Sequence, residues 1–256
     1  MAIEKQDFIE GTAKSLAVLE CFNTERQRLN ATQAAERAGL TRAAARRHLL
    51  TLQELGYLEG EGGSFWLTPR VLKLAGIYLS SARLPRAVQP TLNRLASDTG
   101  QAFSVAVLDG DEVVIVARSG EHRTHSSVMP HGVHLGARLP AFATSTGRVL
   151  AAELSTDQCK ALLAKQKLIA LTPRTLVTKQ AVLSEVTKAR KLGYSEVSEE
   201  HEYGVRALAV PLRDERGSAI AALNVVESSA NFHAETLAHR YLTLLLKASV
   251  EVRTLL

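Results

Sequence analysis

At 256 residues, 46% apolar and 22% charged, the chain can bury one or two cores, which excludes a disordered or fibrous polymer. No apolar run approaches the ~20 residues that span a bilayer, and the first residues lack the charged-then-apolar pattern of a signal peptide. A cytoplasmic protein with no membrane partner is expected, and its two cysteines, Cys21 and Cys159, read as plain core thiols rather than a disulfide framework.

Residues 1–12 are polar and aperiodic, an arm or a contact with a partner subunit. From Lys14 to Phe22 apolar residues return at helical spacing and predict a first helix. The stretch from Thr32 to Leu52 organises the rest. Ala34, Ala35, Ala38, Leu40, Ala45, Leu49, Leu52 and Leu55 share one helical face, Gly39 breaks the run, and Thr41 is a good N-cap. Small Ala35 and Gly39 permit the sharp turn and close approach of a helix-turn-helix. Net charge is a mild +5, and residues 1–78 carry ten Lys and Arg against nine Asp and Glu. Residues 26–52 nevertheless hold six arginines against one acid, Glu36, so the positive charge is local. Thr41, Arg42, Ala43, Arg46 and Arg47 stand where a recognition helix enters the major groove. Arginine reaches guanine O6 and N7 or a phosphate oxygen, and the pattern does not assign those roles among the three. Thr41 serves as cap, as contact, or as both. The plainer reading of this stretch is a helical hairpin with a solvated basic face.

Gly56-Tyr57-Leu58 and Ser64-Phe65-Trp66-Leu67-Thr68 flank a glycine-rich turn and predict a β-hairpin, the wing of a winged helix-turn-helix. Glu59 and Glu61 would repel phosphate, so the wing tip is assigned no base contact. Pro69 to Leu84 reads as a linker helix that Pro85 interrupts. The expected division is therefore residues 1–68 for DNA binding, 69–82 for the linker helix, and 83–256 for a second domain.

That second domain alternates elements. Helices are predicted over 84–96, 147–154, 158–165, 179–192 and 233–256, with Thr178 as N-cap and Gly193 as stop for the fourth. Strands 102–108 and 113–118 flank Asp109-Gly110-Asp111, and strands 205–212 and 218–226 flank Asp214-Glu215-Arg216-Gly217. Antiparallel hairpins mixed with helices imply an α+β domain large enough to enclose a ligand. Thr144, Ser145 and Thr146 lie just ahead of a predicted helix, where free N–H groups and the helix dipole favour an anion such as a small carboxylate. Simple N-capping accounts for one of the three without any ligand. Arg138 can pair bidentately with a carboxylate, and Arg206 is a weaker candidate; each is equally at home in a structural salt bridge. His122, His125, His131 and His134 make two His-x-x-His pairs, but no cysteine lies nearby and the segment reads as a loop, so no metal and no cofactor is assigned.

These stretches resemble the IclR family of bacterial transcriptional regulators, and within it the Pca/Pob-type branch that controls aromatic-acid catabolism. The resemblance is carried by Lys14 to Phe22, Gly39 to Leu52, Leu55-Gly56-Tyr57, Gly136 to Ala141, Thr144 to Leu150, Gly193-Tyr194, Glu199-Glu200 and Gly204 to Pro211. His48 departs from it, standing where similar proteins carry an apolar residue. The resemblance implies a GAF-like effector-binding and oligomerisation domain, and a homodimer or homotetramer on a partly palindromic double-stranded operator. It also implies a small carboxylate effector lined by Val128, His131, Leu139, Ser145, Thr146, Val205, Ala207, Asn224 and Val226.

Three classes of function remain to be compared. A ligand-responsive regulator fits best, sensing an aromatic acid or, as the alternative, a small metabolite such as an α-keto acid. An enzyme lacks support, because no Gly-x-Ser-x-Gly, phosphate loop, dinucleotide fingerprint or Cys-His setting appears. A protein-binding module would lack salt-sensitive, sequence-specific DNA binding.

Overall fold

The computed structural model describes residues 3–23, 26–119, 134–229 and 236–256, and the chain divides into two compact units between Tyr78 and Leu79. In the first unit α1 (Glu10–Leu19), α2 (Ala31–Ala38) and α3 (Arg42–Glu54) pack around Val18, Ala34, Ala45, Leu49 and Leu52. Asn30 caps α2 by accepting from the N–H groups of Thr32 and Gln33, while the Gln33 side chain reaches back to the Asn30 N–H. Gly39, at φ 64°, ends α2 in the left-handed region, and Thr41 caps α3 by accepting from the Ala44 N–H at 3.2 Å. His48 on α3 meets Ser15 on α1 at 2.9 Å, so a polar contact joins two helices where the resemblance led us to expect an apolar one.

The wing is β2 (Leu58–Glu61) against β3 (Ser64–Leu67), joined by Gly62 and Gly63 at φ 58° and 81°. A two-residue turn with both angles positive matches the twist of a hairpin and suits glycine at both places. A third strand, β1 (Leu29–Asn30), pairs with β3 through Leu29 and Phe65. Its two residues are too short to show a period in sequence.

Next come a 3₁₀ turn (Pro69–Val71), α4 (Leu72–Ser81) and α5 (Arg83–Thr99). The helical run breaks at Ala82 rather than at Pro85. Pro85 lies in the first turn of α5, where its missing N–H costs nothing. The units divide within α4, a few residues ahead of the expected linker boundary.

The second unit is built on an antiparallel six-stranded sheet in the order β6-β5-β4-β9-β8-β7. The strands are β4 (Ala102–Asp109), β5 (Glu112–Arg118), β6 (Arg138–Pro140), β7 (Ser195–Ser198), β8 (Val205–Arg213) and β9 (Ala219–Ser228). Alternation along the strands sorts their side chains onto two faces. Phe103, Val105, Leu208, Val210, Leu223 and Val225 pack on α5 and on α9 (Leu237–Arg253), whose Leu237, Tyr241, Leu245 and Ala248 face them. Ala106, Val113, Ile115, Ala209 and Ala222 pack on Val149 and Leu150 of α6 (Ser145–Glu153). Behind α6 lie α7 (Thr156–Lys165) and α8 (Lys179–Leu192), which bury Cys159 among Phe142, Leu163, Val182 and Val186. Among the described residues no helix is long and apolar enough to cross a membrane.

Candidate functional site

The first unit presents the start of α3. Ala45, Leu49 and Leu52 are buried, which turns Arg42, Ala43, Arg46 and Arg47 outward. None of the three arginines sits in an ion pair among the described residues. Other arginines of this unit are committed: Arg37 donates to the Cys21 carbonyl, Arg28 lies over the Trp66 ring at 4.2 Å, and Arg70 over Tyr57. The wing acid Glu59 accepts from the Trp66 indole at 3.0 Å. The Thr41 hydroxyl is occupied as the α3 cap.

In the second unit the sheet face under α6 does not close completely. A cavity of ≈ 60 Å³ lies there, with small Ala207 in its wall. Since about 10–15 Å³ suffices for one water, the cavity has room for more than one. Leu139, Ser145, Thr146, Val205, Ala207, Asn224 and Val226, all expected from the resemblance, line it together. Val128 and His131 lie outside the described residues, as do His122 and His125. His134 is exposed, its ring bonded to the Leu135 carbonyl, and no cluster of metal-ligating side chains occurs among the described residues. Arg138 does not line the cavity: it is half-exposed at the edge of the sheet, its guanidinium held by Asp109 at 2.8 Å and Glu112 at 2.7 Å. Those two acids flank the β4–β5 turn, and antiparallel pairing of β5 with β6 brings them to Arg138. Arg206 likewise pairs with Glu196.

Ala143 and Thr144, beside Ser145, line the cavity as well, and sequence reading missed Ser104, Ile115, Val197, Glu200, His201 and Glu202, which complete the wall. Ser104 donates to the Asn224 side-chain carbonyl across the β4–β9 pair. Thr144 caps α6, accepting from the Gly147 N–H and donating to the Ala141 carbonyl. That leaves Ser145, the first residue of the helix, 1% exposed. Its Oγ is the only buried side-chain nitrogen or oxygen atom among the described residues with no hydrogen-bond partner. The N–H groups of a first helical turn have no intrahelical acceptors, and the dipole there is positive. The cavity therefore ends in an anion-seeking corner, within walls that mix apolar and polar side chains.

One wall is the turn between β7 and β8. Arg148, 1% exposed on α6, donates to the Phe142 carbonyl and to both Glu200 carboxylate oxygens. Glu199 is the one non-glycine among the described residues with positive φ, at 57°, a conformation that costs of order 1 kcal/mol or more. Its carboxylate accepts from the Ser229 hydroxyl at 2.8 Å and the Gly204 N–H at 3.1 Å and pairs with Arg174. The Ser229 bond, with help from Gly204 and Arg174, holds this carboxyl below its ordinary value. A carboxyl held lower in the folded than in the unfolded chain contributes stability that is complete above the ordinary carboxylate range. That contribution is lost as pH falls through the folded value. Glu199→Gln should accordingly flatten the acid side of a melting-temperature profile, and an unchanged acid limb would count against this anchoring.

The chain matches the IclR helix-turn-helix domain over residues 11–62 and the C-terminal domain of the bacterial transcriptional regulator IclR over residues 76–254. It is 45% identical over 254 residues to the Pca operon regulatory protein of Acinetobacter baylyi, covering 99% of this chain and 91% of that one. It is also 45% identical to the p-hydroxybenzoate hydroxylase transcriptional activator of the same organism, covering 99% and 94%. The inducer-binding domain of a PobR double mutant from Acinetobacter, solved with 3-hydroxybenzoic acid, superposes with a TM-score of 0.63 at 40% identity, covering 67% of this chain and 98% of that one. These relatives are regulators rather than enzymes. The chain belongs to the IclR family of bacterial transcriptional regulators.

Proposed function

We propose that this regulator binds double-stranded operator DNA through the start of α3 and is controlled by a small aromatic carboxylate held in the cavity of its second unit. The observation that carries the effector half is the buried, unpartnered Ser145 hydroxyl at the first turn of α6, facing a cavity between the helix and the sheet. Names of the relatives above support an aromatic acid from a catabolic pathway as the signal. Exposed Leu72, Leu74 and Ile77 on α4 support a homodimer or homotetramer, and DNA as partner supports a cytoplasmic location. Ligand then alters operator affinity only to the extent that it binds the two quaternary arrangements unequally.

A thermal-shift panel of protocatechuate, 4-hydroxybenzoate, β-ketoadipate, glyoxylate and pyruvate tests the effector half. A ligand at ~100 times its dissociation constant adds roughly 2.7 kcal/mol of stability. An aromatic acid should give that shift, and Ser145→Ala should weaken its binding ~10–100-fold, the range of a hydrogen bond to a charged group. A response to glyoxylate or pyruvate alone would transfer the site to the α-keto acids. For the DNA half, Arg42→Ala should weaken operator binding by ~1–3 kcal/mol while sparing random DNA if Arg42 reads a base. Equal loss on both DNAs would make it a phosphate contact.

A further inference from the structure

The cavity wall carries a second polar group that its neighbours leave uncommitted. Glu200, His201 and Glu202, on the turn between β7 and β8, all line the cavity. The turn is pinned from several directions. The Thr172 and Thr175 hydroxyls donate to the carbonyls of Glu199 and Glu200, Arg148 takes the Glu200 carboxylate, and Ser229, Gly204 and Arg174 take that of Glu199. Glu202 is engaged as well. The His201 ring, half-buried on this rigid support, makes no hydrogen bond among the described residues. The Ser104 hydroxyl donates to the Asn224 side-chain carbonyl, and Thr144 and Thr146 bond within the α6 cap. Two side chains therefore stand with no bond to a neighbour at a wall whose other polar side chains each have one: the Ser145 hydroxyl and the His201 imidazole.

Burial pushes the His201 imidazole below the ordinary histidine value, against a smaller upward pull from Glu202. A neutral imidazole has one N–H donor and one bare nitrogen acceptor. That pair is matched by a phenolic hydroxyl, which both donates and accepts. A second carboxylate could use only the N–H and would meet the acids Glu200 and Glu202 on the same wall, and a plain hydrocarbon edge would leave the imidazole dry and unpaired.

We propose that His201 reads a ring hydroxyl, so that the site selects hydroxy-substituted one-ring aromatic acids over unsubstituted ring acids and ring dicarboxylates. This rests on the effector reading above, with the carboxylate at Ser145. Sites built to bond a hydroxyl discriminate strongly against analogues that lack it.

Titration calorimetry of the full chain with benzoate, 3-hydroxybenzoate, 4-hydroxybenzoate and benzene-1,4-dicarboxylate tests it, on the unaltered protein and on His201→Leu and His201→Gln. One hydroxybenzoate should bind about tenfold tighter than benzoate to the unaltered protein. His201→Leu should remove that preference, bringing the hydroxybenzoate down to the affinity of benzoate for the same variant. His201→Gln, which keeps a donor and an acceptor and tolerates a leucine variant's failure to fold, should retain part of it. A hydroxyl preference that survives in both variants, or a dicarboxylate that binds tightest, overturns the role of His201 and leaves the effector reading intact. Absence of binding by every ring acid to the unaltered protein overturns both.

Discussion

Gly147→Ala should cripple the second unit, although alanine is the better helix former by roughly 1 kcal/mol. A Cβ at this place would lie 2.0 Å from the Ala141 carbonyl oxygen and 2.4 Å from its carbon and Cα. Those are backbone atoms, so no rotamer change relieves the overlap. The close approach exists because the chain enters α6 through a 3₁₀ turn (Ala141–Ala143) that folds back beneath the helix's first turn. Separating the two segments would break the Thr144 bonds to the Gly147 N–H and the Ala141 carbonyl, on which the position of Ser145 depends. Overpacking costs ~1–3 kcal/mol even where side chains can move, and this site sits at or above the upper end. At 2–4 °C per kcal/mol, melting should fall by about 6–12 °C. Effector binding should be lost at temperatures where the protein is still folded. Operator binding by the first unit, measured without effector, should be less affected. A variant with unchanged melting and unchanged effector affinity would contradict the close approach.

How much of this was readable in advance depends on how local each feature is. The helix-turn-helix is written within some twenty residues, so Gly39, Thr41 and the apolar face sufficed to place α2 and α3. Strands β1, β6 and β7 have two to four residues each and no glycine-rich hairpin turn like that of the wing to mark them, and they exist because partner strands present open edges. The cavity follows the same division. Ser145 and Thr146 were legible as hydroxyls ahead of a helix. Ser104 was not, because its place depends on β4 pairing with β9 more than a hundred residues away, which sets it against Asn224. Arg138 was legible as a cation near the site but not as one already neutralised, since its acids arrive through the β4–β5 turn. His201 lay in a polar run that reads as a solvated turn until the Glu199 and Glu200 contacts fold it against the cavity.

Arg148 is the feature sequence reading had least reason to find, because an arginine on a helix ordinarily faces water. Here it is buried, and its removal should be the most damaging single side-chain truncation in this unit. Arg148→Met preserves the apolar stem and deletes three donors. Glu200 would be left with a half-buried carboxylate and the Phe142 carbonyl without its bond. Breaking one side of such a pair typically costs 3–5 kcal/mol, about 6–20 °C in melting at this size. The half-exposed pair of Arg138 with Asp109 should be worth ~0–1 kcal/mol by the same measurement, since water replaces what the mutation removes. The double variant Arg148→Met with Glu200→Gln separates the charge from the packing. If the loss comes from the stranded carboxylate, neutralising Glu200 should restore at least half of the melting temperature, and the effects of the two changes will be far from additive. Because Glu200 lines the cavity, effector affinity should fall with the single change and recover in part with the double. Additive losses would instead make Arg148 a filler of space. The β7–β8 turn, and with it the His201 wall, would then be held by the Glu199 and threonine contacts alone.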